Sequence, residues 1–220
     1  MAAILITGAA RGIGLALTRQ LAARGDRVIA VCRHTNAELE AIDGVRAITD
    51  IDVTDPDART RLAAQLDKHA LDVVIHNAGV MTHETLADLD LERIRSQFEI
   101  NALAPLALTQ LLLTSLRPGS KLALITSRLG SIEDNSSGGD YGYRMAKAAL
   151  NMAGKSLAID LKPQGIAVGI FHPGMVATDM TAHSGIPVEE AATHLIARID
   201  QLTLDNSGQF LHAQGSALPW

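Results

Sequence analysis

The chain alternates short runs of apolar, β-branched residues with longer stretches in which apolar side chains recur every three or four positions. The short runs predict strands at 3–7, 27–32, 45–51, 72–76, 120–126, 165–171 and 208–213. The longer stretches predict helices at 13–24, 56–69, 91–115, 141–161 and 187–202. Alternation of this kind implies an α/β fold, a doubly wound parallel sheet of about seven strands with helices on both faces. Ligands of such sheets bind outside the carboxyl ends of the strands. The residues that follow the predicted strands are therefore the first candidates for a site. They are a glycine turn from Gly8, Arg33 with His34, Asp52 with Val53, Asn77-Ala78-Gly79, Ser127, and Pro173-Gly174.

The glycine turn reads Thr7-Gly8-Ala9-Ala10-Arg11-Gly12-Ile13-Gly14, between a strand and a helix. Glycines there permit positive φ and a close approach of backbone to ligand. The N–H groups at the helix start, with the helix dipole, suit a pyrophosphate. The spacing G-x-x-x-G-x-G differs from the general G-x-G-x-x-G fingerprint, and a glycine-rich turn is by itself often only a tight turn. Its place directly after a strand favours nucleotide binding.

Tyr143 and Lys147 lie four residues apart in a predicted helix, so both side chains share one face. An ammonium beside a phenol favours the phenolate, which makes a group that normally titrates near ~10 usable in proton transfer. The bland reading of the pair alone is a solvated helix face.

Composition bounds the partners. The 220 residues carry 47% hydrophobic and 20% charged side chains with a formal net charge of −5. No basic patch stands out, which argues against nucleic acid. No apolar stretch approaches the ~20 residues of a membrane span, and no secretion signal precedes the glycine turn. The single cysteine, Cys32, allows no intrachain disulfide and fits a reducing compartment, so a cytoplasmic protein is expected. None of the eight histidines pairs with Cys or a second His at ligand spacing, and no metal site is expected.

Together these residues resemble the short-chain dehydrogenase/reductase family in its short, single-domain branch. The likeness runs along essentially all of residues 1–220, through Thr7-Gly8-x-x-x-Gly12-Ile13-Gly14, Asp52, Asn77-Ala78-Gly79, Asn101, Ser127, Tyr143-x-x-x-Lys147 and Pro173-Gly174-x-Val176-x-Thr178. Within the family it is similar to the carbonyl-reductase-like group that includes the fly protein sniffer and the bacterial C-factor. Ser127-Arg-Leu-Gly-Ser-Ile, the long loop to Tyr143 and the ending Leu218-Pro219-Trp220 carry that closer likeness. The resemblance implies a single Rossmann-fold domain that binds NAD(P) and holds the catalytic residues. It implies an oxidoreductase that interconverts a carbonyl and an alcohol.

In that family Tyr143 would be the general acid or base. Lys147 would lower its pKa and hold the nicotinamide ribose. Ser127 would hydrogen-bond the substrate carbonyl, and Asn101 would hold a relay water. Ser127 precedes Tyr143 by sixteen residues rather than about a dozen, which makes Ser131 its rival, and Tyr141 is a second candidate tyrosine. Asp52 would meet the adenine amino group or serve only a turn, with Val53 beside it. Asn77, Ala78 and Gly79 would lie near the adenosine ribose. Pro173, Gly174, Val176 and Thr178 would lie against the carboxamide.

In NAD-using relatives an acidic residue ends the second strand. Here that position is Cys32, followed by Arg33, and the glycine turn itself carries Arg11. Two guanidinium groups suit a 2′-phosphate, so NADP(H) is favoured over NAD(H). The expected partner is a small-molecule carbonyl or alcohol, with no nucleic acid and no membrane.

Apolar and small residues spread around the helices at 91–115 and 141–161, and with the family's habit this predicts a homodimer, with a homotetramer as the larger alternative. The rival function is a cofactor-binding signalling or regulatory protein of the C-factor type. A sugar-nucleotide epimerase is a third reading, weakened by the few residues that follow Thr178.

Overall fold

The computed structural model describes residues 1–67 and 70–220. Strands β1 (Ala3–Thr7), β2 (Arg27–Val31), β3 (Arg46–Ile48), β4 (Val73–His76), β5 (Lys121–Ile125), β6 (Ala167–His172) and β7 (Phe210–His212) form one sheet in the order β3-β2-β1-β4-β5-β6-β7. Every neighbour pairing is parallel. The strand order reverses between β1 and β4, and in doubly wound sheets such a switch point forms the crevice outside the carboxyl ends of the strands where ligands bind.

Period-two alternation sends β1 into two cores. Ile4 and Ile6 face a cluster with Leu17 of helix α1 (Gly12–Ala23) and Leu195 of the last helix, α7 (Val188–Asp200). Leu5 faces a second cluster, built with residues of three intervening helices. These are Leu62 of α3 (Pro56–Ala64), Leu108 and Leu112 of α5 (Ala104–Leu112), and Leu150 of α6 (Tyr141–Asp160). Burial on both faces explains why the strands read as unbroken apolar runs.

Helix starts follow local chemistry. Asp55 caps α3 by accepting from the Asp57 N–H, with Pro56 in the first turn. Asp90 accepts from the N–H groups of Glu92 and Arg93 at the start of α4 (Leu91–Phe98). Two expectations need correction. The helix predicted over 91–115 is broken: α4 gives way to a π-helical turn at Glu99–Leu103, then α5, then a 3₁₀ turn at Leu113–Ser115. The Ala104 N–H reaches back to the Glu99 carbonyl, and Pro105 has no N–H for the Asn101 carbonyl, so a regular ladder cannot pass through this point. The strand predicted over 45–51 is cut to Arg46–Ile48, because Asp50 turns the chain with φ 58°.

A short helix, α2 (Ala37–Glu40), was not foreseen. Asn36 starts it by accepting from the Leu39 N–H. Of the helix expected at 56–69, the last two positions lie outside the described residues.

Candidate active site

At the end of β1 the backbone of Gly8 takes φ 67° and that of Gly12 takes φ 53°, conformations that L side chains rarely adopt. A Cβ on Gly8 would stand 2.9 Å from Ala78 Cα, and one on Gly14 would collide with the Gly8 carbonyl and lie 2.6 Å from Asn77 Nδ2. The turn is thus pressed against the end of β4. Asn77 fastens the two, with its Nδ2 donating to the carbonyls of Thr7 (3.1 Å) and Gly8 (3.2 Å). The Thr7 hydroxyl in return accepts from the N–H groups of Asn77 and Ala78. α1 begins at Gly12, followed by Ile13 and Gly14, and Arg11 before it offers the first turn no side-chain cap.

The two arginines differ. Arg11 is exposed and bonded to Asp179 at 3.0 Å, which links the glycine turn to the segment after β6. Arg33 is exposed, and among the described residues its guanidinium makes no ion pair or hydrogen bond. Asp52 is engaged locally, accepting from the Thr54 N–H (2.9 Å) and hydroxyl (2.7 Å), and these bonds hold its carboxyl below the ordinary range. The Val53 carbonyl accepts from Arg59. Half-buried Gly174 and Thr178, with buried Pro173 and Val176, follow β6 on the far side of the glycine turn. A Cβ on Gly12 would come within 3.4 Å of Thr178 Cγ2.

The catalytic candidates gather between β5 and α6. Tyr143, Lys147, Ser127 and Asn101 are all buried. The Ser127 hydroxyl interacts with the Tyr143 phenol and also accepts from the Leu129 N–H at 3.1 Å. Ser131 points elsewhere, its Oγ donating to the Trp220 carbonyl at 3.2 Å and accepting from the Asp134 N–H. Lys147 Nζ donates to the Ile125 carbonyl at 2.9 Å and lies 5.6 Å from the Tyr143 ring centroid. Asn101, on the π turn, is held to Val80 by two hydrogen bonds of 2.8 and 3.0 Å. Gly79 lies beside both Asn101 and Lys147: a Cβ there would stand 3.0 Å from Asn101 Oδ1, close enough to push it, and 3.7 Å from Lys147 Nζ.

The electrostatics differ from the simple pairing expected of Tyr143 and Lys147. Burial pushes the phenol up to about 12, slightly offset by Ser127, and pushes the ammonium down to about 8. Desolvation favours the neutral form of each group, and in the protein alone it outweighs their mutual attraction. The ammonium still carries its charge at pH 7. It has three N–H donors and one protein acceptor, so two donors are left for a ligand. A pair of sugar hydroxyls is a natural complement.

Residue-by-residue reading missed a supporting network. Asn151 follows Lys147 by the same four residues that separate Lys147 from Tyr143, and this spacing was a usable signal. It accepts from the Thr126 hydroxyl at 2.6 Å and donates to the Gly130 carbonyl at 3.3 Å, which ties the Ser127 turn to α6. Glu84 and Gln97, buried beside the first turn of α6, carried no such signal.

A seven-stranded doubly wound sheet with a glycine turn at its switch point and a Ser–Tyr–Lys–Asn cluster across the crevice defines a nucleotide-dependent oxidoreductase class. The short chain dehydrogenase profile matches residues 2–187, and the chain belongs to that family. It is 44% identical, over the full length of both chains, to a 1-hydroxy-2-glutathionyl-2-methyl-3-butene dehydrogenase of Rhodococcus sp. (strain AD45). It is 42% identical to the C-signal of Myxococcus xanthus over 68% of this chain and 93% of that one. The structure of an NADPH-bound carbonyl reductase from chicken fatty liver superposes with a TM-score of 0.91 at 27% identity, covering 100% of this chain and 99% of the other.

Among the described residues no helix is long and apolar enough to cross a membrane, and no cluster of His, Cys, Asp and Glu could hold a metal.

Proposed function

We propose that this protein is an NADP(H)-dependent carbonyl reductase, or the corresponding alcohol dehydrogenase, with Tyr143 as its general acid and base. The observation that carries the reading is the buried cluster of Tyr143, Ser127 and Lys147, in which, among the described residues, an ammonium has no carboxylate partner and one carbonyl acceptor, leaving two donors for a ligand. When bound, a nicotinamide cofactor supplies or accepts the hydride. The rest is assigned to residues of the chain. The Tyr143 hydroxyl gives its proton to a substrate oxygen in reduction and takes it back in oxidation. The Ser127 hydroxyl orients that oxygen and meets its developing charge. Lys147 holds ribose hydroxyls, and the positive charge of an oxidised nicotinamide beside the phenol would bring its pKa down. Asn101, held to Val80, would order a water behind Lys147.

The glycine turn suits a pyrophosphate, because Gly8 and Gly14 leave no room for a Cβ, Gly8 and Gly12 hold positive φ, and the turn leads into the start of α1. Asn77, Ala78 and Gly79 would flank the adenosine ribose, and Pro173, Gly174, Val176 and Thr178 the carboxamide. Asp52 and Val53 are best placed as the turn beside the adenine. Arg33, whose guanidinium makes no hydrogen bond or ion pair among the described residues and attracts Asp52 only at longer range, is the cation assigned to a 2′-phosphate, and Arg11 would have to exchange Asp179 for it. The NADPH held by the chicken carbonyl reductase supports this preference.

A second reading is favoured by the Rhodococcus relative: oxidation of an alcohol carried on a glutathione conjugate. A C-signal-like role without turnover is the alternative that the intact catalytic set argues against. The deciding experiment follows NADPH and NADH oxidation against aldehydes, ketones and quinones, and NADP⁺ reduction with glutathionyl alcohols. NADPH-linked turnover is expected; cofactor binding with no turnover of either class would favour the signalling role.

The outer faces of the helices leave Leu103, Leu106, Met145, Met152 and Ile159 exposed. We assign that apolar surface to a homodimer, with a tetramer as the larger alternative. A solution mass of one chain at micromolar concentration would reject the assignment. Buried Cys32 accords with a cytoplasmic location.

A further inference from the structure

Helix α6 begins without a cap of its own. Asp140 precedes it in a left-handed conformation and offers no side-chain hydrogen bond, and its first turn contains no acidic residue. Yet this turn carries Tyr143. The missing acceptor comes from 58 residues earlier: Glu84 Oε2 accepts from the Gly142 N–H at 3.2 Å. The Glu84 side chain is 1% exposed.

The carboxylate is surrounded by donors. Gln97 Nε2 lies 3.1 and 3.3 Å from its two oxygens, and the Thr82 hydroxyl donates to Oε1. The orientation of Gln97 is fixed, because its own carbonyl accepts from the Thr82 N–H at 3.0 Å. The Glu84 backbone carbonyl also accepts from the Asp140 N–H at 2.9 Å, and His83 Nδ1 sits 2.8 Å from Asp140 Oδ1. Gln97 leaves no room for a side chain at Gly142, whose Cβ would collide with Nε2.

We propose that Glu84 is a positioning residue for Tyr143. It supplies in trans the negative N-terminal cap that α6 lacks, and with Gln97 and Thr82 it sets the height of the catalytic phenol above the sheet. The inference rests on Tyr143 being the acid–base group. Because Thr82, Gln97 and Gly142 all present donors, the position demands an acceptor-only group. Glutamine would set an amide N–H against a donor, so its near-identical shape does not rescue.

The test reads the phenol directly. In a Tyr141→Phe background Tyr143 is the only tyrosine, and near-ultraviolet difference spectra follow its ionisation without turnover. Glu84→Gln and Glu84→Ala are expected to lower its titration toward the ordinary ~10 as the first turn loosens and admits water. On the otherwise unmodified protein they should lower kcat roughly 10- to 100-fold, through misplacement of the phenol. The Kd for NADPH should stay within about twofold, and Glu84→Asp should recover part of kcat.

Thr82→Val, which keeps the shape but removes the hydroxyl that donates to Glu84 and accepts from Gln97 Nε2 at 2.7 Å, should give a milder loss of the same kind. It serves as the reading variant if Glu84→Ala does not fold. Unchanged phenol titration and kcat in folded Glu84→Gln would overturn the inference. A shifted titration in a protein that reduces no carbonyl would uphold the positioning and refute the activity.

Discussion

The two halves of the crevice are built on opposite principles. On the β1–α1 side the proposed function belongs to the backbone: glycines let the turn press against the end of β4, and the polar side chains there, Thr7 and Asn77, serve to brace it. On the β5–α6 side it belongs to side chains that burial has driven from their ordinary titration, Tyr143 up and Lys147 down. Backbone sites need conformations and close approaches that a Cβ would strain, which glycine permits at a cost in conformational entropy. Side-chain sites cost solvation, which only a ligand or a neighbour restores.

Removing the reacting proton is the harshest way to break the catalytic half while sparing the other. Tyr143→Phe should reduce turnover by roughly 10²–10⁴-fold with NADPH affinity nearly intact. Steady-state rates with fluorescence titration of cofactor will check it. A dead Tyr141→Phe beside an active Tyr143→Phe would move the role to the other tyrosine.

Next in size is the charge at the nucleotide end. Arg33→Asp should narrow or reverse the preference for NADPH over NADH, by about 1.5–3 kcal/mol for the lost charged hydrogen bond, with kcat for the better cofactor little changed. Equal affinities in the unmodified protein would refute the assignment of Arg33.

Lys147→Met sharpens the contrast from the stability side. It removes a buried ammonium and should raise the stability of the cofactor-free protein by ~1–4 kcal/mol at pH 7 while abolishing activity. The folded pKa, about 8, lies below the unfolded value near ~10.4, so between them the unfolded chain binds more protons. Unmodified protein should therefore regain stability relative to the variant as pH rises from 8 to ~10.4. Denaturant melts across that window decide the point.

The smallest effect is on the acid side. His76, buried against the Thr109 hydroxyl at 2.9 Å, is pushed down to about 4. Its folded pKa is again the lower one, so stability is full above the unfolded pKa near ~6.5 and is lost as pH falls toward 4, on the order of 1–3 kcal/mol. Replacing His76 by Asn should flatten that limb.

The same contrast explains what could be read from the sequence. Strand positions were legible to within a residue or two except at β3, because burial on both faces leaves continuous apolar runs. The glycine turn was legible because forbidden Cβ positions leave a spacing. The Tyr143–Lys147 pair was legible as helical periodicity, though the outcome of its electrostatics was not: desolvation depends on what covers a group, and sequence spacing does not record that. Glu84 and Gln97 were invisible for a related reason. They meet α6 across 58 and 45 residues of chain, and no local pattern marks a cap delivered from so far away. The break in the helix at 91–115 was signalled only by Pro105.

That break has a meaning in terms of chain length. A π-helical turn is an α-helix with one residue more than its path requires. The flanking segments of Glu99–Leu103 still present Leu108 and Leu112 to the sheet, so the core is served whether or not the surplus exists. The surplus changes only where Asn101 ends up, and Pro105 keeps it from being smoothed away. Loss of one codon there, with proline replaced, would leave the hydrophobic architecture its full complement of contacts and turn one amide out of register. The boundary between what this chain needs to fold and what it needs for chemistry is, at this point, one residue wide.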